Sequence, residues 1–276
     1  MKMEMDKLRF KKYIPGFGIM LAMSVLLTSC RSVTININSK DTAPDNNFVQ
    51  KDAEKYDGKT KPPEEREGFS VREISDDLFD RMKRGNTYKE DCIVPREDLR
   101  YLMVLHKDKE GNTHQGEMVV HKLIAEDVLE IFEELYDADY PIERMVLPDN
   151  YMADDETMMR DNNSSGFNFR FISHSNKISK HGLGMAVDIN TLYNPYHKTV
   201  TNEDGTTEEV IEPATGEAYL DRTKEFDYKI NKDDLCYKLF IGKGFEWGGD
   251  WTDRKDYQHF ELPADITEKY SEMYSQ

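Results

Sequence analysis

Ser179, Lys180, His181, Gly182, Leu183, Gly184, Met185, Ala186, Val187, Asp188, Ile189 and Asn190 form the stretch on which the reading of this chain turns. A strand over Met185 to Asn190 alternates with period two, so Ala186, Asp188 and Asn190 share one face and Val187 and Ile189 the other. One face then belongs to a core, and the other is available to a site. The two preceding glycines permit a tight turn that returns His181 over the strand toward Asp188. Neutral imidazole and carboxylate are both good zinc donors. A catalytic zinc takes three protein ligands and leaves its fourth position to water.

The candidate third donor lies in a second cluster, Phe245, Glu246, Trp247, Gly248, Gly249, Asp250, Trp251, followed by Asp256, Tyr257, Gln258, His259, Phe260 and Glu261. Here Asp256 precedes His259 by three residues, so an acid can take a proton from a metal-activated water while the histidine binds the metal. Zinc lowers the pKa of such a water from about 16 toward about 7, within range of a carboxylate base. Each residue alone has a plainer explanation. A histidine before a strand is commonly a surface or satisfied core residue, an aspartate commonly caps a turn, and glycines and aromatics commonly serve turns and core. Only their co-occurrence points to a metal centre. His106, His114, His121, His174 and His197 share no close motif with an acid on a common face, and they read as structural or surface residues.

Around these clusters the chain divides into a leader, a tether and a folded part. Lys2, Lys7, Arg9, Lys11 and Lys12 form a basic start, and Ile14 to Leu27 an apolar run too short for a comfortable membrane span, as in a signal peptide over residues 1–29. Leu27, Thr28, Ser29 and Cys30 follow it and resemble a bacterial lipobox, which implies lipidation of Cys30 and a membrane-anchored protein of the cell envelope. From Arg31 to about Gly68 the chain is polar, with Pro44, Pro62 and Pro63 interrupting regular structure, and reads as a flexible tether.

The formal charge is −17, from 37 basic and 54 acidic residues. Residues 1–29 carry five of the basic and two of the acidic side chains, so the remainder carries 32 against 52, a charge of −20. That balance argues against nucleic acid and against anionic lipid as a partner, since phosphate binding relies on Lys and Arg. Beyond Cys30 only Cys92 and Cys236 remain. They can pair in an oxidising compartment, but sequence alone leaves the bridge open.

The folded part is expected from Phe69 to the C-terminus as a single domain. Arg100 to His106 and Glu117 to His121 read as a hairpin across the turn Asp108 to Asn112. Ile124, Val128, Ile131, Phe132 and Leu135 recur at helical spacing. Ile142 to Leu147 reads as a further strand and Asp233 to Ile241 as a shorter helix, with Gly242 or Gly244 to end it. Few strands without a regular βαβ rhythm indicate an α+β fold.

The motifs Ser179-x-His181-x-x-Gly184-x-x-x-Asp188 and Asp256-x-x-His259 resemble those of the zinc D-alanyl-D-alanine carboxypeptidases, whose relatives include vancomycin-resistance D,D-dipeptidases and phage L-alanyl-D-glutamate endopeptidases. Phe167 to Arg170, Asn190 with Asn194 to Tyr196, Trp247 to Trp251, and Tyr140 to Ile142 extend the resemblance over roughly residues 70 to 262. It implies zinc held by His181, Asp188 and His259, Asp256 as general base and acid, and Arg170 binding substrate or stabilising an oxyanion. It also implies a substrate-binding or turn-ordering Ser179, with Asp250 and Glu261 as reserve candidates for the base. Several relatives carry glutamate where Asp256 stands. The fold implied is that of hedgehog signalling domains, an antiparallel sheet with helices packed on one side and a zinc cleft. That fold also hosts proteins that are not peptidases. The activity implied is cleavage of a peptidoglycan stem peptide, most directly at the terminal D-Ala-D-Ala bond. Cleavage at L-Ala-D-Glu or another wall bond, and a zinc-containing lipoprotein that binds wall peptides without turnover, are the rival readings.

Overall fold

The computed structural model describes residues 66–172, 177–202 and 204–275. The leader, Cys30 and the tether through residue 65 lie outside the described residues, as does His174. Arg66, three residues ahead of the expected start at Phe69, forms an ion pair with Asp137.

The expected hairpin is present as β2 (Leu99–Lys107) and β3 (Thr113–His121), with β1 (Ser70–Glu73) antiparallel along the outer edge of β2. Asp108 shapes the connecting turn, its Oδ1 accepting from the backbone of Glu110 and Asn112 at 3.1 and 2.8 Å. The long helix α2 (Ala125–Asp137) follows and lays Val128, Leu129, Ile131, Phe132 and Leu135 into the core, packing on β2. These residues recur every three to four positions, so a continuous apolar stripe covers one sheet face while glutamates take the solvent side.

Two further three-stranded sheets complete the α+β architecture. One runs β4 (Ala186–Asp188), β9 (His259–Glu261), β7 (Glu246–Trp247); the other β6 (Thr207–Glu212), β5 (Tyr196–Thr201), β8 (Lys255–Asp256). The protein therefore divides its strands among three small antiparallel sheets, where a single sheet was expected. The shorter expected helix is α4 (Leu235–Gly242), capped by the Asp234 side chain, which accepts from Cys236 N at 2.8 Å. Its Phe240 stacks on Phe260 with ring centroids 4.3 Å apart.

Ile142 to Leu147 is not a strand. The segment is extended, but its backbone is satisfied piecemeal by several elements in place of a ladder. Ile142 N donates to Lys107 O, Glu143 N to Asn190 Oδ1 and Val146 N to Asn163 Oδ1, while Met145 O accepts from Glu117 N. The apolar pattern was real, and Ile142, Met145 and Leu147 are buried. Pairing partners, which sequence does not reveal, decide the class.

Helices α1 (Asp76–Arg84), α3 (Asp155–Arg160) and α5 (Ala264–Tyr274) and the β5–β6 hairpin were not foreseen. Among these, α1 buries Met82 and packs Leu78 and Phe79 against the core beside it, and α5 buries Thr267 and lays Ile266, Tyr270 and Tyr274 against the core at four-residue spacing. Helix α5 also docks through polar groups. His121 Nδ1 accepts from Leu123 N at 3.1 Å, so its Nε2 carries the proton and donates to Tyr274, whose hydroxyl donates to Asp98 at 2.5 Å. Burial holds this imidazole down to about 4, in keeping with a neutral ring. Cys92 and Cys236 are both free thiols, so the bridge left open by the sequence does not form.

Gly184 ends the turn after His181 with φ at +70°, and a Cβ there would stand 2.8 Å from His121 N. Gly184→Ala is expected to destabilise the domain by about 1–3 kcal/mol, combining left-handed strain with a clash against backbone. A urea midpoint equal to that of the wild type would contradict this.

Candidate metal centre

The pairing of β4 with β9 assembles the site. Directly opposed residues of an antiparallel pair project to the same face. Asp188 lies opposite His259, Ala186 opposite Glu261, and Val187 opposite Phe260. Val187 and Phe260 are fully buried on the core side, which leaves Asp188, His259 and Glu261 together on the other. His181 is added by the single helical turn His181–Leu183, which Gly184 terminates. On the far edge of β4, Ser165 exchanges backbone hydrogen bonds with Asp188, and this brings the Gly166 carbonyl to His181 Nδ1 at 2.8 Å.

The donor atoms close a small triangle. His181 Nε2 lies 3.1 Å from His259 Nδ1, His259 Nδ1 lies 2.9 Å from Asp188 Oδ1, and Asp188 Oδ2 lies 3.2 Å from His181 Nε2. Among the described residues this is the group of three able to hold a metal ion. A tetrahedral zinc with bonds of about 2.0–2.1 Å separates its donor atoms by about 3.3 Å, so the spacing suits the ion.

The protons of both rings are committed elsewhere. His181 Nδ1 faces a carbonyl and must donate to it, and His259 Nε2 faces Glu261 Oε2 at 3.0 Å and donates there. With both rings neutral, lone pairs on His181 Nε2 and His259 Nδ1 would meet the Asp188 carboxylate with no hydrogen between them. Three acceptors this close need a positive charge. Burial favours a neutral His259, yet the hydrogen bonds to Asp188 and Glu261 raise its pKa well above the ordinary range. Asp188 is held well below its ordinary value, against its burial, chiefly by His181 and then His259. Either an added proton or a cation answers that demand, and the donor set of two imidazoles and a carboxylate is one that zinc takes.

Glu261 was expected only as a reserve base. The structure makes it the orienting partner of His259, the carboxylate–histidine arrangement that fixes a ligating tautomer. Glu261→Ala is expected to weaken zinc binding about 10- to 100-fold, read by competition with a chromophoric chelator, while Glu261→Gln retains an acceptor oxygen and part of the affinity. Unchanged affinity in the alanine variant would remove Glu261 from this role. Its spacing of two from His259 on a strand was the available signal, since alternation places both on one face. The Gly166 carbonyl left no comparable trace.

Asp256 sits at the end of β8, just before the turn into β9. Gly248 packs against it so closely that a Cβ would stand 2.7 Å from Asp256 Cβ. Its Oδ1 is sealed from solvent and has no hydrogen-bond partner. Burial pushes this carboxyl up to about 7; His259 and Arg170 draw it down, and Asp188 and Glu212 raise it. A base that titrates near neutrality suits proton transfer. An orphaned buried oxygen beside a metal triad is also placed to hold a water.

Arg170 therefore lies close enough to act electrostatically on Asp256. It belongs to the run Phe167 to Arg170, in which Phe167 and Phe169 are buried in the core and Asn168 and Arg170 alternate to the other side. Ser179 is buried, its N donating to Arg170 O at 3.0 Å and its carbonyl accepting from Leu183 N at 3.2 Å. These bonds join the arginine segment to the His181 turn. Asp250 is turned outward, in an ion pair with Lys232. His114 and His197 pair with Asp108 and Glu209 at the surface, and His106 is buried against Ile142 O at 2.7 Å.

Residues 173–262 match the family model described as D-alanyl-D-alanine carboxypeptidase. The resemblance seen in the motifs holds over this span, which contains His181, Asp188, Asp256 and His259 and stops short of Arg170. The family is one of zinc peptidases. No curated protein and no solved structure matches the chain.

Proposed function

We propose that this protein is a zinc-dependent D,D-carboxypeptidase that hydrolyses the terminal D-Ala-D-Ala bond of peptidoglycan stem peptides. The observation that carries the reading is the convergence of His181 Nε2, His259 Nδ1 and the Asp188 carboxylate at metal-ligand spacing, near a buried carboxyl, Asp256, with an unpartnered oxygen. His181, Asp188 and His259 would hold the metal, oriented by Gly166 O and Glu261. When bound, zinc supplies Lewis-acid polarisation of a carbonyl oxygen and acidifies a coordinated water. Asp256 accepts the proton of the attacking water and returns it to the leaving amine, a transfer suited to a carboxyl that titrates near neutrality. Arg170 holds the negative charge of the substrate carboxylate or of the developing oxyanion, and a guanidinium stays charged throughout. Trp251, whose ring centroid lies 5.5 Å from that of His259, shields one side of the site. Ser179 stands close enough to the same segment to meet the substrate backbone.

The location follows from the leader and lipobox-like Cys30: a lipoprotein held at the cell envelope, where this substrate is found. The hedgehog-type arrangement of sheet, helices and cleft belongs to the same reading. Purified zinc-loaded protein is expected to release D-alanine from a pentapeptide ending in D-Ala-D-Ala and to stop when chelated. Mass spectrometry of digested sacculi that shows cuts only at L-Ala-D-Glu would replace the bond assignment. Peptide binding with no product at high enzyme concentration would replace the enzyme by a binding protein.

A further inference from the structure

We infer that Asp155 is a positioning residue for Arg170, holding the guanidinium so that its two terminal nitrogens face the substrate. The inference rests on the reading that Arg170 meets the substrate, and adds to it the residue that makes this possible. An arginine side chain has large rotamer freedom, so a preorganised charge requires a second anchor. Asp155 provides one. It opens α3, whose N-terminus is capped independently by Asp154, the carboxylate accepting from Thr157 N at 2.8 Å. That leaves Asp155 free to face Arg170.

Both of its oxygens are used. Oδ1 accepts from Asn168 Nδ2 at 2.8 Å, and Oδ2 lies 2.5 Å from Arg170 Nε, an ion-pair contact in which the sealed Nε–H makes no hydrogen bond. Asn168 and Arg170 are the two residues of the run 167–170 that point away from the core, so one carboxylate grips both. Asn168 is itself buried, and its backbone N donates to His181 O at 3.1 Å. The clamp is thereby tied to the segment that carries a candidate metal ligand. The contact at Nε lies on the sealed inner side of the guanidinium. The terminal nitrogens, which suit bidentate recognition of a carboxylate, have no hydrogen-bond partner among the described residues. The partial exposure of both side chains, 35% for Arg170 and 28% for Asp155, leaves that outer edge accessible.

The test is a double-mutant cycle on zinc-loaded protein with an N-acylated peptide ending in D-Ala-D-Ala. Asp155→Asn, near-isosteric, is expected to lower kcat/KM about 10-fold, chiefly through KM, with one zinc still bound. In an Arg170→Ala background the same change is expected to cost less than 2-fold, because the residue it acts through is gone. Equal costs in the two backgrounds, or wild-type activity in Asp155→Asn, would overturn the inference. If Arg170→Ala is itself as active as wild type, the role of Arg170 falls and the inference with it. If only Arg170→Ala is impaired, the inference falls alone.

Discussion

Alanine in place of His259 is expected to yield a protein that retains no zinc and loses kcat/KM by roughly a thousand-fold or more. Two donors remain, and one of them, Asp188, loses the ring that helps hold its charge. The fold is expected to persist, because the neighbouring Phe260 on the opposite face of β9 keeps its stack on Phe240 and its place in the core. Metal analysis after dialysis and far-UV circular dichroism check the two halves of the statement. His181→Ala is expected to behave alike. His114→Ala, which removes an exposed partner of Asp108, is expected to leave metal content and rate unchanged. One equivalent of tightly held zinc in the His259 variant would sink the assignment of the triad.

Asp256→Asn separates metal binding from proton transfer. The variant is expected to keep its zinc and lose about 10²- to 10⁴-fold in kcat, the range associated with removal of a general base. The pH dependence has a definite sign. Asp256 works as a base only when ionised, so activity rises with pH through its pKa. Burial places that pKa at about 7 in the metal-free protein, and a nearby dication favours the carboxylate. The acid limb of the kcat/KM profile of the zinc enzyme is therefore expected below 7, and it disappears in Asp256→Asn. Retention of the limb with full turnover would move the base elsewhere. The two reserve candidates are poorly suited to inherit the task, since Asp250 is paired with Lys232 and Glu261 with His259.

The donors were legible because each sits in a short local motif whose geometry the backbone period fixes. Alternation along Met185 to Asn190 predicted which residues share a face with Asp188, and the pairing of β4 with β9 set His259 opposite it. What remained hidden depends on contacts distant in sequence. Asp155 reads as an ordinary first-turn acid until α3 is brought against Arg170, and Gly166 contributes a carbonyl that any residue possesses. The same contrast runs through the fold. The apolar stripe of α2 announced a helix. Helix α5 carries only the row Ile266, Tyr270 and Tyr274, partly buried, and its tie through Tyr274 to His121 and Asp98 joins residues more than 150 positions apart, which leaves no local pattern. Ile142 to Leu147 misled because burial produces the same apolar pattern with or without a ladder.

The triangle of donors also has a thermodynamic side. His181 and His259 are 78 positions apart, and Asp188 and His259 are 71 apart, so an ion held among them is a removable cross-link over a quarter of the chain. A ligand that binds the native state alone stabilises it by mass action, about 4 kcal/mol at a thousand times its dissociation constant. Cys92 and Cys236 are free, so among the described residues no covalent bridge shares this duty. Zinc supply would then set the lifetime of the folded domain, and under zinc starvation the domain would become more open to proteolysis.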